Sequence, residues 1–225
     1  MAMIIKTPWG VKGPLEATTE AIWNVLEKGV QYALSQDIPV PNPYTADIAY
    51  RKEPIRNGRR RDYYQPFWEV LAQIHGDCED LSMFLVAYLR QQNIDPTARV
   101  ALIEWPSGGW HAVVLRYGEP EKRDEVYKVT SLSRIYGPGT HIYGGPDIGW
   151  DPVGWYVEDP SRRLGMRDRA RGSAYSPSAT GDQREPAGES VIGQDPYIPF
   201  EVAGPATLDP QVLALIQRIF GKGLR

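Results

Sequence analysis

The chain has 225 residues, of which 42% are hydrophobic and 24% charged, and its formal net charge is -3 at pH 7. This length and composition suit one sizeable hydrophobic core with an appendage. The slightly acidic balance argues against a protein whose main task is to bind nucleic-acid phosphates or an anionic membrane surface. We therefore expect neither nucleic acid nor a membrane as a partner.

Cys78 is the single cysteine of the chain, so neither an internal disulfide nor a site with several thiolate ligands can form. The apolar run before Lys6 is too short for a signal peptide, and no stretch of about 18 consecutive apolar residues follows it. These features predict a protein that is made and works in a cytoplasm.

Three helices are predicted in the first part of the chain. An amphipathic helix over residues 14–36 has apolar residues at three- and four-residue spacings, and a short helix runs from residue 65 or 66 to residue 74. The third covers residues 77–92 and begins at a suitable N-cap, Asp77. Between the first two, residues 37–62 are rich in Pro, Asn, Gly and charge and predict an irregular connection.

Four β-rich segments follow the helices, at residues 97–104, 110–117, 125–133 and 154–158. Helices followed by neighbouring antiparallel strands predict an α+β domain. The third helix would then pack on an antiparallel sheet.

The composition changes after Asp159. Residues 161–208 contain many Arg, Gly, Pro and Ser residues and no periodic apolar run, which predicts an extended arm. Residues 209–225 predict an amphipathic helix that either packs back on the domain or binds a protein partner. The chain is therefore divided into a domain of residues 1–160, with its core at about 63–161, an arm and a C-terminal helix.

Cys78 has the position of a nucleophile, because a helix N-terminus favours the thiolate. The neighbouring Asp77, Glu79 and Asp80 oppose this effect, so an imidazolium has to supply most of the stabilisation. His111 is the candidate for that role, as the base of a Cys-His pair.

A carboxylate is needed to hold the imidazole, and two are available. Strand alternation places His111, Val113 and Leu115 on one face, and Val157 and Asp159 on one face of the later strand. Pairing of the two strands would bring Asp159 to His111, as in catalytic triads on unrelated folds. Asp151 is the alternative, since it also follows an aromatic residue and precedes a proline.

Three strings carry a resemblance to a known family: Gly76-Asp77-Cys78-Glu79-Asp80 at the helix start, Asn93-Ile94-Asp95-Pro96-Thr97-Ala98-Arg99-Val100 after the helix, and Gly154-Trp155-Tyr156-Val157-Glu158-Asp159-Pro160. Together they resemble the transglutaminase-like superfamily, whose catalytic core is papain-like. Asn93 stands where the family usually has glycine. The resemblance covers residues 63–161 and includes the order Cys, His, Asp.

The resemblance implies a peptidase or amidase that acts through Cys78, His111 and Asp159 and a thioester, without a cofactor, on a protein or peptide. The segment at residues 62–66 is also similar to transglutaminase-like proteins carried in tailed-phage gene modules. This implies the cytoplasm of a bacterial host, with virion association as an alternative.

The interval from His111 to Asp159 departs from the family, since its 48 residues are about three times the length in compact members. The inserted part either shapes a substrate lid or makes Asp151 the orienting carboxylate. We favour Asp159, because Gly154 and Trp155 precede it at the family's offset.

The oxyanion site has a first predicted donor in the backbone N–H of Cys78 and a second in the side chain of Gln73 or Gln65. A metal site built from His75 and the acids around Cys78 is not expected, because adjacent acids at a helix start usually cap it.

Two other functions remain open at the level of sequence. Residue types do not decide whether water or a lysine amine resolves the thioester, so a protein-glutamine cross-linking enzyme is one alternative. A non-catalytic phage structural or assembly protein, using the same fold as a docking module, is the other.

Overall fold

The structure is a computed structural model that describes residues 2–3, 15–16, 18–52, 63–106, 109–120 and 126–170, with side chains for residues 18–165 of these ranges. The predicted arm beyond residue 170 and the predicted helix at residues 209–225 lie outside the described residues.

Five α-helices are described. They are α1 (Thr19–Ser35), α2 (Phe67–Gln73), α3 (Cys78–Gln91), α4 (Leu132–Tyr136) and α5 (Pro160–Ala170). The hydroxyl of Thr18 caps α1 by accepting a hydrogen bond from the backbone N–H of Ala21 at 3.1 Å. Ile74 ends α2 in the left-handed region, with φ at 57°. The three helices predicted before residue 95 are confirmed, with α1 beginning later than expected.

Nine strands are described. They are β1 (Ala2–Met3), β2 (Leu15–Glu16), β3 (Ala49–Tyr50), β4 (His75–Gly76), β5 (Arg99–Glu104), β6 (Trp110–Tyr117), β7 (Val126–Lys128), β8 (His141–Tyr143) and β9 (Trp155–Glu158). The last five form one antiparallel sheet in the order β7-β9-β6-β5-β8. Helices and an antiparallel sheet in one unit are compatible with the predicted α+β class.

The sheet carries a hydrophobic cluster on each face. Helices α1, α2 and α3 pack against one face, where Val100, Leu102, Ala112 and Val114 are buried. Ile103, Val113, Leu115 and Val157 belong to a smaller cluster on the other face. Since alternate residues of β6 enter different clusters, the strand is covered on both faces, as its run of apolar residues requires.

The pairing of β6 with β9 fixes the register of the predicted site. Leu115 lies opposite Val157 and Tyr117 lies opposite Trp155. Residues 111 and 159 are each an even number of positions from these pairs, so their side chains start from the same face of the sheet. This is the shared face that strand alternation predicted.

The start of α3 depends on a close approach between its first turn and the preceding strand. A Cβ atom at Gly76 would lie 2.9 Å from Cβ of Asp80 and 3.3 Å from Cγ2 of Val70, so a larger residue does not fit. Asp80 is buried and accepts a hydrogen bond from the backbone N–H of Gln65 at 2.7 Å. The carboxylate thus ties the segment before α2 to the start of α3.

A buried ionic network holds the end of β9. Arg116 Nη1 donates to Glu158 Oε2 at 3.1 Å, and Arg116 Nε donates to Asp95 Oδ2 at 3.2 Å. The hydroxyl of Tyr44 donates to Glu158 Oε1 at 2.8 Å. These contacts supply hydrogen-bond donors to both carboxylate oxygens of the buried Glu158.

Three segments differ from the prediction. Strand β8 was not predicted, because it has only three residues and lies in a stretch rich in Gly and Pro. The strand predicted at residues 125–133 ends at Lys128, and a 3₁₀ turn leads into α4. The arm predicted from residue 161 is wrong for its first residues, which form α5.

No helix among the described residues combines the length and the apolar character needed to cross a membrane.

Candidate active site

His111 and Asp159 are in direct contact. Nε2 of His111 lies 2.8 Å from Oδ2 of Asp159, and both side chains are largely buried. An ionised carboxylate can only accept hydrogen bonds, so we assign the proton of neutral His111 to Nε2. The other ring nitrogen, Nδ1, is then left as a base.

Asp159 receives two further hydrogen bonds. The hydroxyl of Tyr136 donates to the same Oδ2 at 2.8 Å, and the backbone N–H of Arg162 donates to Oδ1 at 3.0 Å. Burial alone would raise the pKa of this carboxyl, but His111 and the three hydrogen bonds outweigh it and lower the pKa below its ordinary value. Asp159 therefore stays ionised although it is buried.

Two aromatic rings flank the imidazole of His111. The ring of Trp105 is stacked on it, with centroids 5.9 Å apart and an interplanar angle of 16°. The ring of Tyr136 lies 5.8 Å away on a tilted plane. These contacts limit the rotation of the imidazole and its access to water.

Cys78 opens α3 and packs against the larger hydrophobic cluster. Its thiol donates to Oε2 of Glu79 at 2.9 Å. The backbone N–H of Ala112, the residue after His111, is directed at the sulfur. Cys78 thus lies where the helix start meets β6, beside the strand that carries His111.

The electrostatics of the thiol oppose ionisation in the structure. Burial raises the pKa of Cys78 most, Glu79 and Asp77 raise it further, and the Ala112 N–H offsets only part of this, so the pKa lies well above its ordinary value. The sequence prediction that acidic neighbours work against the helix terminus is confirmed for Asp77 and Glu79.

The pKa of His111 is shifted in the direction that favours a base. Burial lowers it, but the charge and hydrogen bond of Asp159, together with the charge of Glu79, outweigh burial and raise the pKa above its ordinary value. A raised pKa makes the imidazole a stronger acceptor for the thiol proton.

The two predicted oxyanion donors differ in environment. Gln65 is buried, and its Oε1 atom has no hydrogen-bond partner among the described residues. Gln73 is the last residue of α2 and is exposed. The role of second oxyanion donor stays a prediction for both residues, and its burial favours Gln65 over Gln73.

Asp151 contacts a different histidine, His141. Its Oδ2 is 2.7 Å from Nδ1 of His141, and its Oδ1 accepts from the backbone N–H of Ile142 at 3.0 Å. Both side chains of this pair are substantially exposed. The alternative carboxylate is therefore engaged away from His111.

Within the described residues, no group of three or more His, Cys, Asp or Glu side chains is arranged to hold a metal ion. His75 lies in the short parallel pair of β3 and β4, opposite Ala49.

Tyr136 contacts the site but is not predicted by any motif in the sequence. It is 25 residues from His111 and 23 from Asp159, in a segment with no periodic pattern, so no local signal marks it. The unusual length of the segment between His111 and Asp159 was the only indication that added residues serve the site.

Comparison of the chain with family models, with curated proteins and with solved structures finds no match.

Proposed function

We propose that the protein is a cysteine-dependent hydrolase, a peptidase or amidase, that acts through Cys78, His111 and Asp159 and a thioester intermediate. The observation that carries the proposal is the 2.8 Å contact between Asp159 and His111. The strand of His111, β6, adjoins Cys78. The contact with Asp159 leaves the other imidazole nitrogen available as an acceptor, and nucleophilic catalysis by cysteine needs such a nitrogen within reach of the sulfur.

The fold supports the same proposal. A helix that begins at Cys78 packs on an antiparallel sheet whose central strand, β6, carries His111. Asp159 immediately follows the neighbouring strand, β9. We infer that this unit is a transglutaminase-like core with papain-like placement of the three residues.

The first chemical step transfers the thiol proton. The thiol turns from Glu79 to Nδ1 of His111, the proton passes to the imidazole, and the sulfur attacks the carbonyl carbon of the substrate. Asp159 stabilises the imidazolium that forms. The backbone N–H of Cys78, with Gln65 as the proposed second donor, donates a hydrogen bond to the negatively charged carbonyl oxygen.

The thioester forms when the carbon–nitrogen bond breaks and His111 returns its proton to the leaving amine. Water then attacks the thioester, gives a proton to His111, and releases the carboxylic acid and the Cys78 thiol. If a lysine amine replaces water in this step, the product is a cross-link.

An activated ester, p-nitrophenyl acetate, tests the proposal without knowledge of the natural substrate. Because the chain has one cysteine, an acetyl group found on Cys78 by mass spectrometry identifies the intermediate, and Cys78→Ala should abolish the release of p-nitrophenol above background. If wild type and Cys78→Ala release it at the same rate, the proposal is wrong and the docking module is favoured.

A primary amine separates the two acyl-transfer outcomes. We expect acetate to remain the main product when a lysine analogue is present at millimolar concentration. If the amide of the amine predominates instead, the enzyme is a cross-linking transferase.

A further inference from the structure

The inserted segment between β6 and β9 supplies a side chain to the candidate site. Tyr136, at the end of α4, places its hydroxyl 2.8 Å from Oδ2 of Asp159, the oxygen that also contacts His111 Nε2. We propose that Tyr136 is a positioning residue that holds Asp159 in the orientation in which it binds His111. This inference rests on the proposed function, since it extends the Cys-His-Asp arrangement by one residue.

The hydroxyl of Tyr136 can act only as a hydrogen-bond donor to Asp159. The ionised carboxylate is an acceptor, so Tyr136 donates. Two donors on Oδ2 and the Arg162 N–H on Oδ1 restrain the carboxylate at both oxygens. The ring of Tyr136 also lies beside the imidazole, at 5.8 Å. One residue therefore contacts both members of the pair.

The hydrogen bond from the hydroxyl also stabilises the negative charge of Asp159. Without the hydrogen bond from Tyr136, the negative charge of the Asp159 carboxylate is less stabilised and holds a proton on His111 more strongly. Loss of the hydroxyl should therefore raise the pKa of His111 and, at the same time, loosen the orientation of the carboxylate. A merely structural tyrosine would affect stability without moving the titration of His111.

Tyr44 offers a matched control. Its hydroxyl donates at 2.8 Å to Oε1 of Glu158, the residue next to Asp159, so Tyr44→Phe removes the same kind of hydrogen bond from a buried carboxylate outside the site. Phenylalanine keeps the ring at both positions, so both variants are expected to fold, which thermal unfolding can check.

The experiment compares Tyr136→Phe with Tyr44→Phe in two measurements. The first is histidine side-chain NMR, in which the three histidines of the chain are assigned with His75→Gln and His141→Gln. The second is the steady-state hydrolysis of p-nitrophenyl acetate as a function of pH.

We expect Tyr136→Phe to shift the His111 titration to higher pH and to lower kcat about tenfold with little change in KM, below the hundredfold that a 1 Å misplacement can cost. Tyr44→Phe should do neither. A His111 titration in Tyr136→Phe that coincides with wild type would overturn the inference. The NMR result does not depend on turnover, so failure of the inference and failure of the proposed function remain distinguishable.

Discussion

The thiol of Cys78 donates a hydrogen bond to Oε2 of Glu79, the next residue in the first turn of α3, at 2.9 Å. This contact keeps the thiol neutral in the structure, because the carboxylate charge disfavours a second negative charge beside it. In the proposed mechanism, Cys78 therefore depends on His111 for activation more than on the helix terminus.

Glu79→Gln should make Cys78 more reactive. Removal of the negative charge lowers the pKa of the thiol, which Glu79 raises second only to burial. The rate of alkylation by iodoacetamide at pH 7 should rise about tenfold, the change in thiolate fraction that one pKa unit produces.

Glu20→Gln is the matched control, since Glu20 is an acidic residue in the first turn of a different helix, α1. It should leave the alkylation rate unchanged. An alkylation rate for Glu79→Gln equal to that of wild type would mean that Glu79 does not restrain the thiol.

The pair of His111 and Asp159 should make stability depend on pH. The pKa of His111 is raised above about 6.5 on folding, so its contribution is complete below that pH and is lost as the pH rises through the folded-state value. The pKa of Asp159 is lowered, so its contribution is present above about 3.8 and is lost as the pH falls through the folded-state value.

Urea unfolding of wild type and His111→Gln should therefore differ most between pH 4 and pH 6.5, and the difference should shrink towards pH 9. His141→Gln removes a histidine from an exposed pair and should cost less than about 1 kcal/mol. If the free energies of unfolding of wild type and His111→Gln differ by the same amount from pH 4 to pH 9, the pair does not make stability depend on pH.

The buried arginine of the ionic network should matter for stability. Arg116→Leu removes the cation that Asp95 and Glu158 share. Among the described residues, Glu158 then keeps only one cationic contact, with Arg163 at 3.4 Å. Breaking a buried pair in this way costs about 3–5 kcal/mol in the free energy of unfolding. Arg134 is exposed, and Arg134→Leu should change stability by less than about 0.5 kcal/mol. Denaturant midpoints for the two variants test this, and equal midpoints would show that the network contributes little.

Gln65 and Gln73 can be separated directly. Gln65→Ala should lower the rate of Cys78 acetylation about 100-fold, the loss typical of one oxyanion donor, whereas Gln73→Ala should stay near wild type because Gln73 is exposed. The reverse order of effects would move the donor to Gln73.

The sequence predicted the parts of the fold that have strong periodicity. The apolar face of α3 and the alternation in β6 and β9 were enough to place Cys78 at a helix start and to bring residue 159 to the face of residue 111. The short strand β8 and helix α4 were not predictable, since neither is long enough to show a period.

The polar contacts of the site were predicted unevenly for a physical reason. The effect of Glu79 on Cys78 is local in sequence and could be anticipated. The contacts of Tyr136 with Asp159 and of Asp80 with Gln65 join distant segments, so they depend on how the elements pack, which no local pattern specifies.

The proposed pairing of Cys78 with His111 is tested most directly by the pH dependence of iodoacetamide alkylation at Cys78 in wild type, His111→Ala and His141→Ala. If Cys78 and His111 form the proposed pair, His111→Ala should slow alkylation at pH 7 at least about tenfold, because the thiol loses the base that accepts its proton. His141→Ala, which changes an exposed histidine bonded to Asp151, should match wild type. Coincident profiles for wild type and His111→Ala would show that His111 does not activate Cys78.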